Sequence, residues 1–116
     1  MLGSWYSRSL AEVVTSKYQI IYWRDIPAQI KVRSRAARLA RGLSERFQKA
    51  IDEAAMRGGL IGTDEYLEMW RTSEWMDREG AAEEIATALV IELEAAFPPD
   101  RLTDLVASGG RDSASA

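Results

Sequence analysis

An α+β domain is predicted, in which a β-hairpin packs against three or four α-helices and the chain ends in a disordered C-terminal tail. Three observations carry this: strand-type alternation between Tyr18 and Arg33, helical apolar stripes from Phe47 to Phe97, and a small polar run, SGGRDSASA, at the end. With 116 residues, the chain has the length of one domain, enough to bury roughly two thirds of the surface its unfolded form exposes. The expected division is an N-terminal extension over residues 1–17, a folded domain over residues 18–106 and the tail over residues 107–116.

In chain order, Leu2, Trp5, Tyr6, Leu10, Val13 and Val14 have the spacing of a short amphipathic helix in the extension. Tyr18–Trp23 is rich in β-branched and aromatic residues. In Ala28–Arg33, Ile30 and Val32 alternate with Gln29, Lys31 and Arg33, the period of a half-buried strand. Arg24-Asp25-Ile26-Pro27 reads as a four-residue connection between the two strands. Residues 34–41 are basic and Ala-rich, an irregular connector or a helical turn. Ser44 is placed to cap a helix whose stripe is Phe47, Ala50, Ile51, Ala54, Ala55 and Met56, ended by Gly58-Gly59. Thr63 caps the next helix, with Asp64 and Glu65 at its positive end and Tyr66, Leu67 and Trp70 on its apolar face. Trp75 and Met76 then fill a gap between helices. Ile85, Ala86, Leu89, Val90, Leu93, Ala96 and Phe97 form a strong helical stripe stopped by Pro98-Pro99, and Asp100 is placed to cap a last helix through Val106.

Composition removes much chemistry. There is no His and no Cys, so a Cys nucleophile, a His base, a disulfide framework and an ordinary zinc site are all excluded. Carboxylates remain, and with them a small carboxylate- or metal-dependent enzyme as a further alternative: Asp52-Glu53, Asp64-Glu65 with Glu68, and Glu83-Glu84. Each lies on the polar face of a predicted helix, where acids are simply solvated. No cofactor is expected. Gly59-Leu60-Ile61-Gly62 has the Gly-x-x-Gly form of a backbone-clamping RNA-binding loop. Its Leu-Ile interior and the following Asp64-Glu65 favour plain helix termination instead. No apolar run approaches the roughly 18 residues of a membrane span. The first residues lack a basic start followed by an apolar core, so no secretory signal is expected and the reading is cytoplasmic.

Charge is divided unevenly. Residues 1–50 hold ten Lys/Arg against three acids, while residues 51–116 hold five against fifteen, a dipole hidden by the net charge of −3. Lys31, Arg33, Arg35, Arg38, Arg41, Arg46 and Lys49 fall within nineteen residues opposed only by Glu45. Arg35, Arg38 and Arg41 have the spacing of one helical face. This run is either a solvated face answered by acids from the C-terminal half, or a surface for an acidic protein or for nucleic acid. Trp23-Arg24-Asp25 at the hairpin tip joins an aromatic to charges on a loop, the residue types that anchor interfaces. Arg24 and Asp25 can equally form an internal ion pair that fixes the turn.

YQIIYWRDIPAQIKVR (residues 18–33), RFQKAIDEAAMRGGLIGTDEYLEMW (residues 46–70) and AAFPPDRL (residues 95–102) together resemble the small bacterial virulence factor family. There a YWRDIPAQ-type hairpin precedes an AIDxAAM helix and a GTDxYLxxW segment. None of these is an active-site signature, and the family label names no reaction. The resemblance implies interaction rather than catalysis, since a related domain occurs joined to scaffold-like and helical-repeat segments. Stand-alone members often lie beside genes for corrinoid and folate methyl transfer, which implies an accessory role there. The expectation is a non-enzymatic module for a protein partner with an acidic surface, with nucleic acid as the second choice and the oligomeric state left open. Its site residues are Trp23, Arg24, Asp25, Lys31, Arg33, Arg35 and Arg38.

Overall fold

The computed structural model describes residues 14–112. Among them the order is β1 (Thr15–Trp23), β2 (Ile26–Arg33), β3 (Arg38–Gly42), α1 (Glu45–Arg57), α2 (Asp64–Glu68), β4 (Trp70–Thr72), β5 (Met76–Glu79), α3 (Ala82–Ala96) and α4 (Pro99–Ala107). The strands form one antiparallel sheet in the order β3-β2-β1-β4, with β5 also on β1, so the α+β class and the hairpin stand. The helix expected in the extension lies mostly outside the described residues, and Thr15–Lys17 belong to β1 instead.

The hairpin is tighter than its sequence implies. Trp23 pairs with Ile26 and Tyr22 with Pro27, leaving only Arg24 and Asp25 in the turn. Such two-residue turns need φ > 0 at the first central position, and Arg24 has φ 53 although it is not Gly. Pro27 sits beyond the end of β3, where its missing N–H breaks no ladder bond. Ile21 pairs with Gln29 but Tyr22 with Pro27, so β2 carries one extra residue, Ala28, as a bulge.

That bulge divides the core. Toward the tip, Trp23 and Ile26 join Phe47, Ala50, Ile51, Ala54 and Ala55 of α1, Leu60, Phe97, and Leu102, Leu105 and Val106 of α4. Toward the base, Ile20, Ile30 and Val32 meet Ala82, Ile85, Ala86 and Leu89 of α3, and Leu93 touches both clusters. The α1 and α3 stripes are therefore placed as expected, except that Met56 and Ala96 are exposed.

Several local expectations change. Residues 38–42 are a strand, because period-2 alternation puts half-buried Leu39 and Arg41 on the α3 side between exposed Arg38, Ala40 and Gly42. Ser44 begins α1 without a side-chain cap bond; its Oγ donates to Glu94 Oε1 at 2.8 Å. Thr63 does cap α2, accepting from Tyr66 N at 3.2 Å, but that helix is short. Leu67 is exposed and Trp70 enters β4. Trp75 and Met76 lie at β5, not between helices. Pro99 opens α4 at its first turn, where an N–H has no partner anyway, and Asp100 falls inside that turn. The expected tail is held as far as Asp112: Gly110 N donates to Leu105 O at 2.7 Å, and Asp25 N donates to Gly110 O at 2.9 Å.

Trp23 is fully buried, so Trp23→Ala should cost about 3–5 kcal/mol in equilibrium urea unfolding. Gly110 has φ 90, and a Cβ there would stand 2.9 Å from the Trp23 ring. Gly110→Ala is expected to lower stability by about 1–3 kcal/mol. On the sheet's helix side, Arg78 Nη1 of β5 donates to Glu92 Oε1 of α3 at 2.9 Å, and this bond holds the Glu92 carboxyl below its ordinary value. The unfolded chain binds that proton more readily, so the pair's contribution is full above the unfolded value and is lost as pH falls through the lowered folded value. Glu92→Gln should flatten that part of the acid limb of a stability–pH curve. An unchanged limb would show that the exposed pair contributes nothing.

Candidate functional site

The hairpin tip is closed by the chain itself. Trp23 is core, not surface: its Nε1 donates to Tyr66 O at 3.0 Å and its ring lies 5.8 Å from that of Tyr66. Arg24 Nη1 donates to Gly109 O at 2.8 Å, its Nη2 lies 3.6 Å from Glu65, and its Nε is buried without a hydrogen-bond partner. Asp25 pairs with Arg71 at 3.2 Å and accepts from Asp112 N at 2.7 Å. The turn is thus fixed by contacts to other elements rather than by an Arg24–Asp25 pair. These three residues form a structural clasp: Trp23 is buried and presents no binding surface, while Arg24 and Asp25 are half-buried and engaged within the chain. The physical reason is the size of Trp23: burying that indole draws the neighbouring turn into the core and the C-terminal segment over it.

The basic residues fare differently. Lys17, Gln19 and Ile21 of β1 stand opposite Arg33, Lys31 and Gln29 of β2, which in turn stand opposite Arg38, Ala40 and Gly42 of β3. Directly opposed residues share a face, so these nine positions form one surface, on the side away from α3. Helix α1 covers the tip end of this side and leaves the base end open. Lys17 is held by Asp77 at 2.8 Å. Lys31, Arg33, Arg35 and Arg38 make no ion pair with any described residue. Arg35 rides on the β2–β3 turn, whose backbone is fixed by Ser34 Oγ accepting from Ala36 N and Ala37 N.

Helical spacing misassigned Arg41. As the fourth residue of β3 it turns to the opposite side from Arg38, the first, and there it pairs with Glu83 of α3 at 2.8 Å. Arg46 pairs with Glu94 at 2.8 Å. Acids of the C-terminal half therefore answer Arg41 and Arg46 and leave Lys49 of α1, the open-face residues Lys31, Arg33 and Arg38, and Arg35 at their turn unanswered among the described residues.

Two hollows follow one another along this face. One of about 350 Å³ is lined by Lys31, Arg33, Arg38, Ala40 and Trp75. The other, of about 500 Å³, is lined by Ile21, Gln29, Gly42, Ser44, Glu45, Gln48 and Trp70. Arg33 lies 4.1 Å above the Trp75 ring, a cation–π contact that orients both side chains. Sequence reasoning missed Trp75, Ala40 and Gly42. The available signal was the alternation of Arg38, Ala40 and Gly42 about Leu39 and Arg41.

The candidate carboxylates Asp52, Glu53, Asp64, Glu65, Glu68, Glu83 and Glu84 are all exposed. Among the described residues no group of three or more could hold a metal ion. Leu60 of the Gly-x-x-Gly loop is buried in the first cluster, and Gly59 (φ 68) and Gly62 (φ 80) supply left-handed turns. Thr87–Leu93, the stretch that would have to supply a third strand in an RNA-binding reading of that loop, is helical. Among the described residues no helix is long and apolar enough to cross a membrane.

A small α+β module with one open, basic sheet face is the class that this arrangement defines. The family model described as Virulence factor matches residues 21–106, so the chain belongs to the virulence factor family, as its hairpin and helix motifs imply. Comparison with curated proteins and with solved structures returns no match.

Arg33 and Arg38 stand directly opposite across the β2–β3 ladder, where like charges are unfavourable. Arg38→Glu should therefore raise stability by about 0.2–1 kcal/mol in urea unfolding. A loss of stability would mean that Arg38 serves the fold.

Proposed function

We propose that the chain is a non-catalytic interaction module that holds an acidic stretch of a protein partner on the open face of its sheet. The observation that carries this reading is the set Lys31, Arg33, Arg35 and Arg38, unpaired and two of them directly opposed, beside hollows lined by Ala40, Gly42 and Trp75. A fold that keeps repelling cations together without internal acids gives up stability, and an external anion offsets that cost. A protein is favoured over single-stranded nucleic acid by the aromatic content of the face. Binding of successive bases uses several free stacking platforms, whereas the Trp75 ring is already faced by Arg33 and the Trp70 ring packs against Tyr66. The accessory role in one-carbon metabolism implied by the family resemblance says where such a partner would be sought.

The test is affinity capture from a nuclease-treated lysate of the source cells, comparing the natural chain with the Lys31→Glu/Arg38→Glu double variant. Loss of a captured protein by at least roughly tenfold, equivalent to 1.4 kcal/mol, is expected from a variant that retains its helical and strand content. Capture unchanged in the folded variant would reject this face. Capture lost on nuclease treatment alone would transfer the reading to nucleic acid.

A further inference from the structure

We infer that the partner binds as an extended acidic segment that adds itself to the sheet as a strand along the free edge of β3. The inference rests on the reading above and names the form of the ligand for that same face.

β3 ends the sheet order, with β2 as its one neighbour among the described residues. The phase of its hydrogen bonding is fixed from both ends. Ser34 N donates to Ala37 O at 2.8 Å and Leu43 N donates to Ala28 O at 3.1 Å. Antiparallel ladders alternate bonded and non-bonded pairs, so Leu39 and Arg41 bond to Val32 and Ile30, while the N–H and C=O groups of Arg38, Ala40 and Gly42 point away from β2. All three residues are exposed. Their side chains leave the edge accessible: Ala40 is small, and at Gly42 even an added Cβ would meet nothing within 4 Å.

Edges of this kind are usually blunted by Pro, by a bulge or by charge. β3 has neither Pro nor a bulge, and Arg41 is drawn back to Glu83. Only Arg38 guards it. A positive guard with Lys31, Arg33 and Arg35 beside it discourages a second copy, since pairing two β3 edges would merge two sets of unanswered cations on one face. The same charges attract an acidic strand. Residues of an added strand that lie opposite Arg38, Ala40 and Gly42 share the open face with them, so the ligand is a segment with Glu or Asp at every second position. Its intervening residues lie on the side of Leu39 and the Arg41–Glu83 pair. Backbone bonds supply affinity and alternate side chains supply specificity, as in strand addition generally.

The probe is an acetylated, amidated heptapeptide alternating Glu and Val, titrated into isotope-labelled protein. Ala40→Pro removes an outward N–H at the edge and leaves the β2–β3 bonds of Leu39 and Arg41 in place. The matching change on the ligand is a peptide N-methylated at the residues that face β3, tested on the unaltered protein. Expected are slowed amide exchange at Arg38, Ala40 and Gly42, and at least tenfold weaker binding from the methylated peptide, from Ala40→Pro and from Arg38→Glu. If the methylated peptide binds as tightly as its parent while Arg38→Glu weakens binding, strand addition is overturned and charge-based docking on the face survives. If Arg38→Glu also leaves binding unchanged, the reading of the face fails too. No binding of the peptide at millimolar concentration overturns the inference. A dimer in sedimentation that Ala40→Pro dissolves overturns it in favour of a second copy as the occupant.

Discussion

Ala28, the extra residue of β2, reverses the side to which the strand's later side chains point, and the division of the molecule follows from it. Without the bulge, Ile26 would share a face with Ile30 and Val32, and Trp23 would lose its cross-strand partner. With it, the tip of the hairpin serves the cluster of α1 and α4, and the base serves the cluster of α3. One eight-residue strand thus supplies two cores. The outer side of the base is left with no helix, because α1 and α4 are committed to the tip.

Commitment of the tip has a further consequence. Trp23 fills the centre of its cluster, and the turn beside it must close within two residues. Arg24 then takes a left-handed conformation that a β-carbon disfavours. Such a conformation persists where neighbours over-determine it, and here they do: its N–H donates to Met69 O at 3.0 Å, its guanidinium to Gly109 O, and its carbonyl accepts from Arg71 Nε at 3.0 Å. Gly110 belongs to this arrangement, since only a residue without Cβ lets the backbone lie against the indole.

What was legible in the sequence depended on range. The hairpin and the α1 and α3 stripes were readable because their period and residue types are local properties, and each side chain of the stripe meets the same environment. β3 was not, because Arg35, Arg38 and Arg41 mimic a helical face; tertiary position separates Arg38 in the open from Arg41 against Glu83. β4 and β5, three and four residues long, gain their strand form only by pairing with β1 across some fifty residues or more of chain. The polar run after Ala107 was read by composition, which cannot register that Gly110 meets Trp23 and Gly109 meets Arg24, eighty-odd residues earlier. Of the site residues, Lys31, Arg33, Arg35 and Arg38 were recognisable as charge, whereas Trp23, Arg24 and Asp25 look alike in sequence whether they anchor a partner or a turn.

Local stability and the proposed use of the open face pull in opposite directions at one place. Arg33 opposite Arg38 is a poor cross-strand pair, β3 is an edge with little protection, and the acids able to answer these cations are spent on Arg41, Arg46, Lys17 and Arg78. The chain has eighteen acids, so supply is not the constraint; placement is. Helix α3 presents Glu83 and Glu94 to the basic run, and both reach residues outside the open face, because the helix lies on the other side of the sheet. The bulge that sends α1 and α4 to the tip and α3 to the inner side is therefore also what keeps the α3 carboxylates away from Lys31, Arg33, Arg35 and Arg38. Their charge is left unanswered by the geometry of the fold itself, and a ligand that supplies alternating carboxylates along β3 completes both the ladder and the charge pattern at once.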